Sequence, residues 1–367
     1  NFWIFVFVVG VVISIFCHEL GHYLTAKWTG MKVTQFFLFF GPRLWSFRRG
    51  ETEYGVRALP LGAFVRIIGM NRMDEVDPGD EARAYRQKSF PRRLLVISAG
   101  SIMHMLIAVT LLFGVYAVAG EDTVRDGVEV KTLVDGGAAQ SAGLLAGDIV
   151  RSVDGESFTG ANEFGQLIRA NNPGDAITLA VLRNGIEESI PVTLGSNDTG
   201  GALVGVSSSS IFGTIDHSIP AAAGNAVVDI VPFSWESTKG VIKVLNPVNI
   251  VKHLTGSSDD LASRPTTLLG VAAISDDVGE SSGWAGMLLL LAVLNVFVGV
   301  FNMFPLLPLD GGHAAIALYE RVREGVRGGK QRYFADVERL MPFAMGVVTV
   351  LAMLMFAGLY LDITEPL

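Results

Sequence analysis

The sequence has a single cysteine among its 367 residues, so it can form neither an internal disulfide nor a zinc site built from several thiolates. Charged residues are also scarce, at 17%, whereas soluble domains contain about 25%. The net charge of −8 argues against nucleic acid as a partner. The 42 glycines follow no Gly-X-Y period, which excludes collagen. These absences exclude an ordinary soluble globule, a disulfide-stapled domain and a nucleic-acid-binding protein.

Long apolar stretches are the main feature that the sequence does have. Half of the residues are hydrophobic, and the mean hydropathy is +0.44. A helix needs about 20 apolar residues to cross a hydrocarbon core of about 30 Å. Four stretches reach that length: residues 2–24, 94–119, 284–304 and 343–361. The first is too long for a cleaved signal peptide, so the sequence predicts an α-helical multi-pass membrane protein with four transmembrane helices.

The segments that join these stretches differ in charge. Residues 31–93 carry 12 Lys/Arg and 7 Asp/Glu, residues 305–342 carry 6 and 5, and residues 120–283 carry 9 and 21. Because short loops rich in Lys and Arg stay in the cytoplasm, we expect the first two segments to be cytoplasmic. Residues 120–283 and both termini are then expected on the exported side.

The segment after the first span has the pattern of strands rather than of a helix. Four short runs are apolar or alternate in polarity, with turn residues between them: residues 33–40, 43–48, 53–57 and 63–68. Five residues in the first run, Phe-Phe-Leu-Phe-Phe, are too hydrophobic for a solvated loop. The pattern predicts a membrane-associated β-hairpin region, which either dips into the cytoplasmic leaflet or packs at the interface.

Residues 123–206 change character, because short apolar runs alternate with Gly, Asp and Asn turns. The runs predict strands at 128–134, 148–153, 177–183 and 188–194 and a helix at 162–170. Residues 142–155 resemble the signature of bacterial PDZ domains, an α+β fold that captures extended peptides by strand addition. Such a domain would either reject large substrates or bind a C-terminus. A small structural β-domain without a ligand is the alternative.

The elements combine into one predicted organisation. Prolines interrupt residues 216–254, which we interpret as short amphipathic pieces, and residues 255–283 are predicted to be mostly loop. In chain order we expect a first transmembrane helix (1–30), a cytoplasmic membrane-associated β-hairpin region and linker (31–93), a second transmembrane helix (94–119), an inserted PDZ domain (123–206), amphipathic segments and loop (207–283), a third transmembrane helix with an Asp-Gly-Gly motif (284–313), a cytoplasmic loop (314–342) and a fourth transmembrane helix (343–361).

Residues 18–22, His-Glu-Leu-Gly-His, place three ionisable side chains inside the first predicted span. His18 and His22 lie one helical turn apart, about 6 Å along the axis, so both can bind one zinc ion. Glu19 then lies beside the metal as the expected general base. An ionisable residue in a span costs roughly 2.5–3.5 kcal/mol, which favours a functional site over a polar cluster that merely packs helices together.

A catalytic zinc usually has three protein ligands, so a third candidate is needed. The predicted topology puts His217 and His253 on the exported side and excludes them. Asp310, His313 and His104 remain, in that order of preference. The first two follow a hydrophobic helix that two prolines and two glycines interrupt. Broken backbone at membrane depth is tolerated only where protein or a water-filled cavity satisfies it.

The motifs resemble those of the site-2 protease family. They are the His-Glu-x-x-His motif in the first span, the PDZ-like segment between spans two and three, and the run from Asn302 through Pro305 to Asp310-Gly-Gly. The closest resemblance is to bacterial zinc intramembrane proteases that release transcription factors from membrane-held precursors. It covers nearly the whole chain.

This resemblance implies specific roles for residues of the chain. His18, His22 and Asp310 would hold Zn²⁺, Glu19 would be the catalytic base, and Asn302 would contact the substrate. The β-hairpin region would hold the substrate in extended form.

The resemblance also implies partners and a location. The substrates would be single-span membrane proteins, such as anti-sigma-factor-like proteins or signal-peptide remnants, that an upstream site-1 protease has already cut on the exported side. The enzyme would lie in the bacterial plasma (inner) membrane, with the active site towards the cytoplasm.

One stretch of the second span departs from the family pattern. The second span of the family commonly carries Gly-Pro-x-x-Asn, and the matching residues here run from Gly100 to His104. His104 is either hydrogen-bonded between helices or a group near the zinc that supports its ligands or responds to pH. Two other functions stay open: a non-catalytic binding module with a vestigial metal site, which the intact motif disfavours, and a transporter, which the lack of an internal hydropathy repeat disfavours.

Overall fold

The computed structural model describes residues 1–70, 74–196, 200–257, 260, 263–327, 333–336 and 338–365. The chain divides into two compact units: Asn1–Val118 together with Ser218–Leu367, and Ala119–His217. In chain order the elements are α1 (Phe2–Trp28), β1 (Val33–Arg49), β2 (Thr52–Ile67), α2 (Phe90–Val118), β3 (Glu121–Leu133), α3 (Ala138–Ser141), β4 (Ile149–Val153), β5 (Glu156–Ser157), α4 (Gly160–Arg169), β6 (Ala176–Arg183), β7 (Ile186–Thr193), β8 (Gly195–Ser196), β9 (Ala202–Leu203), β10 (Val206–Ile215), α5 (Ile219–Val228), α6 (Ile230–Val244), α7 (Pro247–Leu254), α8 (Leu268–Asn302), α9 (Asp310–Val326) and α10 (Met341–Thr364).

Among the described residues, four helices of the first unit are long and apolar enough to cross a membrane. They are α1, α2, α8 and α10, and they confirm the four predicted apolar helices. Helices α1, α2 and α8 pack against one another, with Phe7, Leu112 and Met287 fully buried between them. These three helices carry most of the motif residues, so their packing decides which motifs meet.

Helix α8 is broken inside its range. Gly283 has φ 59° and ψ −143°, a conformation that glycine adopts without a steric penalty. The apolar half therefore begins at residue 284, as predicted. The half before the break is helical from Leu268, although a loop was expected. Thr267 caps this helix, because its hydroxyl accepts a hydrogen bond from the Leu269 amide at 3.2 Å, and Asp362 of α10 accepts from the Thr267 amide at 2.8 Å.

Strands β1 and β2 form an antiparallel hairpin, and both strands bend so that four segments lie side by side. The order across the sheet is 43–49, 52–57, 33–38 and 63–67. The bends lie at Phe39, Gly41 and Gly62, all of which have positive φ. Residues 63–67 form one edge, and within the described residues no strand pairs with their outer side. We call this segment the outer strand.

The turn of this hairpin is tied to the end of α1. Arg83 donates to both oxygens of the Glu51 carboxylate at 2.7 and 2.8 Å, and Lys27 in the last turn of α1 pairs with the same group. Arg83 and, to a lesser extent, Lys27 lower the pKa of Glu51 to about 2. The carboxylate is therefore charged at physiological pH and fixes the turn relative to α1.

The second unit is an antiparallel sheet with its own core. Its strand order is β10-β3-β4-β6-β7, with β5 beside β4, and Phe164 and Ile168 of α4 are buried in its core. The predicted strands and helix of the PDZ-like segment are present. Buried Asp148 accepts hydrogen bonds from Arg183 at 2.7 and 2.8 Å, and this contact lowers the pKa of Asp148.

Two boundaries within the segment between α2 and α8 differ from the prediction. Residues 207–215 were expected to belong to the amphipathic segments and loop, but together with Val206 they form β10, which pairs with β3 along ten residues. The unit therefore extends from Ala119 to His217, beyond the predicted 123–206. The short helices α5, α6 and α7 agree with the predicted pieces. Ala222 and Ala226 of α5 pack against Leu112 and Tyr116 of α2.

Candidate active site

The two motif histidines lie on one face of α1, as the helical spacing predicts. The Nε2 atoms of His18 and His22 are 3.2 Å apart. The Nδ1 of His22 lies 2.7 Å from the carbonyl oxygen of Val96 in α2. A carbonyl oxygen can only accept, so this nitrogen carries the proton. In the neutral ring, Nε2 of His22 then keeps its lone pair, which is the state that a metal ligand needs.

Asp310 joins this pair from a distant part of the sequence. It is the first residue of α9, and its Oδ2 lies 3.4 Å from Nε2 of His18 and 3.3 Å from Nε2 of His22. Three donors around a tetrahedral ion, each about 2.0 Å from it, are about 3.3 Å apart. The three atoms therefore form a triangle of the size that zinc requires. We call these three residues the candidate metal centre.

The surroundings of the three atoms also fit a cation. Oδ2 of Asp310 is buried and has no hydrogen-bond partner within the part of the chain that the structure describes. It faces the Nε2 atom of His22, which in the neutral ring has no proton to donate. Two lone pairs at this distance repel each other unless a cation lies between them. The donor set of two imidazoles and a carboxylate is typical of catalytic zinc.

Glycines allow the backbone to come close to this centre. A Cβ atom on Gly100 of α2 would lie 2.3 Å from Cε1 of His18 and 2.5 Å from Nε2 of His22. A Cβ on Gly311 would lie 2.2 Å from the Met303 carbonyl oxygen, so the first turn of α9 packs directly onto the proline-containing loop. The Asp-Gly-Gly motif therefore positions Asp310 by close backbone packing.

Glu19 lies next to the two histidines and beside the outer strand. The backbone N–H of Val65 in that strand lies beside its carboxylate. The hairpin packs on this turn of α1 through Phe36, whose ring is 5.5 Å from those of both Phe16 and Tyr23. The general-base candidate thus follows His18 directly in α1 and contacts the strand at the edge of the sheet.

The other predicted site residues lie at different distances from the centre. His104 is buried, and its ring centroid is 5.0 Å from that of His18. Asn302 is the last residue of α8, half-buried, and among the described residues it makes no hydrogen bond to the candidate metal centre. His313 lines a neighbouring cavity. In the part of the chain that the structure describes, neither His104 nor His313 belongs to the cluster that could hold a metal ion.

The cavity that His313 lines has a volume of about 460 Å³. It lies between the outer strand, which contributes Val65 and Ile67, and helix α9. Glu320 of α9 also lines the cavity and accepts a hydrogen bond from Arg93 of α2 at 2.6 Å. Both side chains are nearly fully buried. This ion pair joins α9, which carries Asp310, to α2.

Comparison with known proteins identifies the family. The model of peptidase family M50 matches residues 6–355, which is nearly the whole chain. This chain belongs to peptidase family M50, the site-2 protease family. Zinc metalloprotease Rip1 of Mycobacterium tuberculosis is 29% identical over 99% of this chain and 98% of its own length. Rip1 of Mycolicibacterium smegmatis is also 29% identical over the same shares.

This site-2 protease is therefore a zinc metalloprotease, and its cofactor is Zn²⁺. Its homologues and its four apolar helices indicate a membrane protein. Among solved structures, the PDZ domain of an SdrC-like protein from Listeria monocytogenes is similar, with 25% identity and a TM-score of 0.22. The similarity covers 23% of this chain and 90% of that one.

Two contributions of α2 to the site were not predicted from the sequence. Neither the Val96 carbonyl, which orients His22, nor Gly100, which makes room for both rings, was identified. Backbone groups carry no side-chain signature, so Val96 could not have been found. Gly100 could have been, because it lies in the stretch that matches the family's second-span motif.

We expect Gly100→Ala to disrupt zinc binding in this site-2 protease. The added methyl group would lie within contact distance of both histidine rings, so either the rings rotate or α2 moves away. Zinc affinity should fall at least about tenfold and cleavage about 100-fold, measured by chelator competition and a substrate assay. Gly114→Ala is the matched control, because a Cβ there would lie 3.6 Å from Leu288. Wild-type zinc affinity in Gly100→Ala would contradict this packing.

Proposed function

We propose that this site-2 protease hydrolyses peptide bonds within the transmembrane segments of single-span membrane proteins. In this proposal His18, His22 and Asp310 hold the zinc ion, and Glu19 is the general base. The main support for this function is the candidate metal centre. Two of its members lie inside a helix that is apolar enough to cross a membrane, so the reaction would take place at membrane depth.

The chemistry follows from the groups around the centre. Bound zinc lowers the pKa of a coordinated water to about 7 and polarises a carbonyl group. Glu19 would take a proton from the attacking water and pass it to the leaving amine. The hydrogen bond from His22 to the Val96 carbonyl keeps the ring in the tautomer whose Nε2 can bind metal. Asn302, at the end of α8, is proposed to contact the substrate.

The substrate must reach this centre in an extended conformation. A transmembrane helix has all its backbone groups bonded internally, so it must unwind before a carbonyl becomes accessible. Strand addition at a free sheet edge satisfies the groups that unwinding exposes. The outer strand has such an edge, and Val65 within it lies beside Glu19. Residues 33–38, the most hydrophobic part of the hairpin, are paired on both sides and offer no edge.

A substrate strand on the outer strand would also fill the neighbouring cavity. Successive side chains of a strand point to opposite faces. One set would therefore face the cavity that Val65, Ile67 and His313 line, and its volume of about 460 Å³ is enough for large apolar side chains. We propose that this cavity accepts side chains from the cytoplasmic part of the unwound segment.

Cysteine crosslinking tests the substrate path. In a background in which the natural Cys17 is replaced by Ser, we expect cysteines at Ala63 and Arg66 in the outer strand to crosslink to cysteines in the transmembrane segment of a substrate. Arg48→Cys is the matched control, because residues 43–49 form the opposite edge of the same sheet. Crosslinks at Arg48 without crosslinks at Ala63 and Arg66 would contradict the proposed path.

We further propose that cleavage follows a first cut on the exported side by a site-1 protease, in the bacterial plasma (inner) membrane, with the centre towards the cytoplasm. The charge pattern supports this orientation, since residues 31–93 are basic and residues 120–283 are acidic. In proteoliposomes, trimmed single-span substrates should be cut faster than untrimmed ones. Equal rates for both forms would contradict the order of cuts.

A further inference from the structure

A chain of buried hydrogen bonds joins three apolar helices close to the candidate metal centre. Nδ1 of His104 in α2 is 2.8 Å from Oδ1 of Asn295 in α8. The side-chain amide of Asn295 donates to Ser14 of α1 at 3.1 Å and to the Leu291 carbonyl at 2.8 Å. Ser14 in turn donates to the Gly10 carbonyl at 2.9 Å. We call Ser14, Asn295 and His104 the helix clamp.

The direction of every bond in the helix clamp is fixed by its ends. The carbonyl oxygens of Leu291 and Gly10 can only accept, so Nδ2 of Asn295 and the Ser14 hydroxyl are the donors. Oδ1 of Asn295 must then be the acceptor, and Nδ1 of His104 carries the proton. The three clamp side chains are 1–7% exposed. In so dry a site a missing partner leaves a buried polar group unsatisfied.

Each residue of the helix clamp lies one or two helical turns from a residue of the candidate active site. Ser14 precedes His18 by one turn of α1, and His104 follows Gly100 by one turn of α2. Asn295 precedes Asn302 by about two turns of α8, the helix that leads into the loop before Asp310. At Gly299 the two helices are in close contact, because a Cβ there would lie 3.1 Å from Cβ of His104. The clamp therefore joins the helices that bring the metal-ligand candidates together.

We infer that His104 and Asn295 are positioning residues, which hold α1 and α8 in the register that the candidate metal centre requires. His104 acts through Nδ1, which donates the hydrogen bond to Asn295, and no described residue is hydrogen-bonded to its Nε2. The inference rests on the proposed metal ligands. It assigns His104 neither to the metal nor to the substrate.

Two substitutions of His104 distinguish the roles of its two ring nitrogens. The side-chain amide of Asn reaches the place of Nδ1, whereas that of Gln reaches the place of Nε2. His104→Asn should therefore keep the bond to Asn295 and behave like the wild type. His104→Gln and His104→Phe should lose it. Zinc affinity should then fall at least about tenfold, and the visible spectrum of the Co²⁺-substituted protein should change, because the ligands are displaced.

The full chain in detergent or lipid is used throughout, and gel filtration checks that each variant is folded. Thr110→Val is the matched control, since the Thr110 hydroxyl bonds within α2 to the Leu106 carbonyl. Ser14→Val breaks the far end of the helix clamp and should shift the cobalt spectrum in the same direction as His104→Gln. If His104→Gln or His104→Phe does not fold while His104→Asn does, the Ser14→Val spectrum decides the inference.

Every other outcome is decisive. A wild-type spectrum and zinc affinity in His104→Phe would overturn the inference, because the ring would then only pack. Normal behaviour of His104→Gln with loss in His104→Asn would overturn it by making Nε2 the working atom. Equal loss in both would also overturn it, because the imidazole ring itself, and not the hydrogen bond at Nδ1, would then be essential. If the wild-type chain itself binds no zinc, it is the proposed ligand set that fails, whatever the clamp variants do.

Discussion

Glu19→Gln is expected to reduce cleavage by about 10⁴-fold, the upper range for loss of a general base, while zinc remains bound at one ion per chain. The amide keeps the size of the side chain but cannot take a proton. Zinc should stay because Glu19 is outside the cluster of three residues that could hold a metal ion. Metal analysis of the purified chain and a cleavage assay with a single-span substrate measure the two quantities separately.

Cys17→Ser is the matched control for this substitution. Cys17 is half-buried in the same turn of α1 and has no proposed role, so both zinc content and cleavage should be retained. Loss of zinc in Glu19→Gln would show that this carboxylate is a ligand rather than a base. Full activity in Glu19→Gln would move the general base to another residue.

Asp310→Ala is expected to remove both zinc and activity. Without the carboxylate only two histidines remain, and two ligands hold a catalytic zinc weakly. We expect less than about a tenth of the wild-type zinc content after dialysis against a weak chelator. The folded fraction should stay high, because Asp310 makes no hydrogen bond through its buried Oδ2 within the described residues.

His313→Ala is the control for Asp310→Ala, since it lies in the same first turn of α9 but lines the neighbouring cavity. It should keep its zinc and lose at most part of its activity through altered substrate fit. Stoichiometric zinc in Asp310→Ala, with loss in His313→Ala, would exchange the roles of the two residues. Retained zinc in both variants would point to His104 as the third ligand.

Much of the architecture could be predicted because it depends on local pattern. The four apolar helices follow from hydropathy, and the β-hairpin region follows from short apolar or alternating runs with turn residues between them. The bends of its two strands were not predicted. Asp310 was ranked first among three candidates for the third metal ligand beside His18 and His22. Its position depends on how α9 packs onto the loop through Gly311, and spacing in the sequence does not specify that contact.

Other features depend on long-range pairing that local pattern does not encode. The sequence could not show whether residues 33–38 or the outer strand lies at the free edge of the sheet. The hairpin bends, so residues 33–38 pair on both of their sides. Strand β10 was mistaken for amphipathic segments, since its partner β3 lies about 80 residues earlier. Helix α8 starts sooner than predicted because Asp362 of α10 supports its first turn, and this partner is almost 100 residues away.

The position of the cut bond decides whether this site-2 protease cleaves within the membrane. Purified wild-type chain is reconstituted with a trimmed single-span substrate, and mass spectrometry of the products locates the cleavage, with Glu19→Gln as the blank. We expect one or a few cuts inside the apolar segment, abolished by a zinc chelator and restored by added Zn²⁺. Cuts confined to the soluble flanks of the substrate, or cuts that persist in Glu19→Gln, would contradict this expectation.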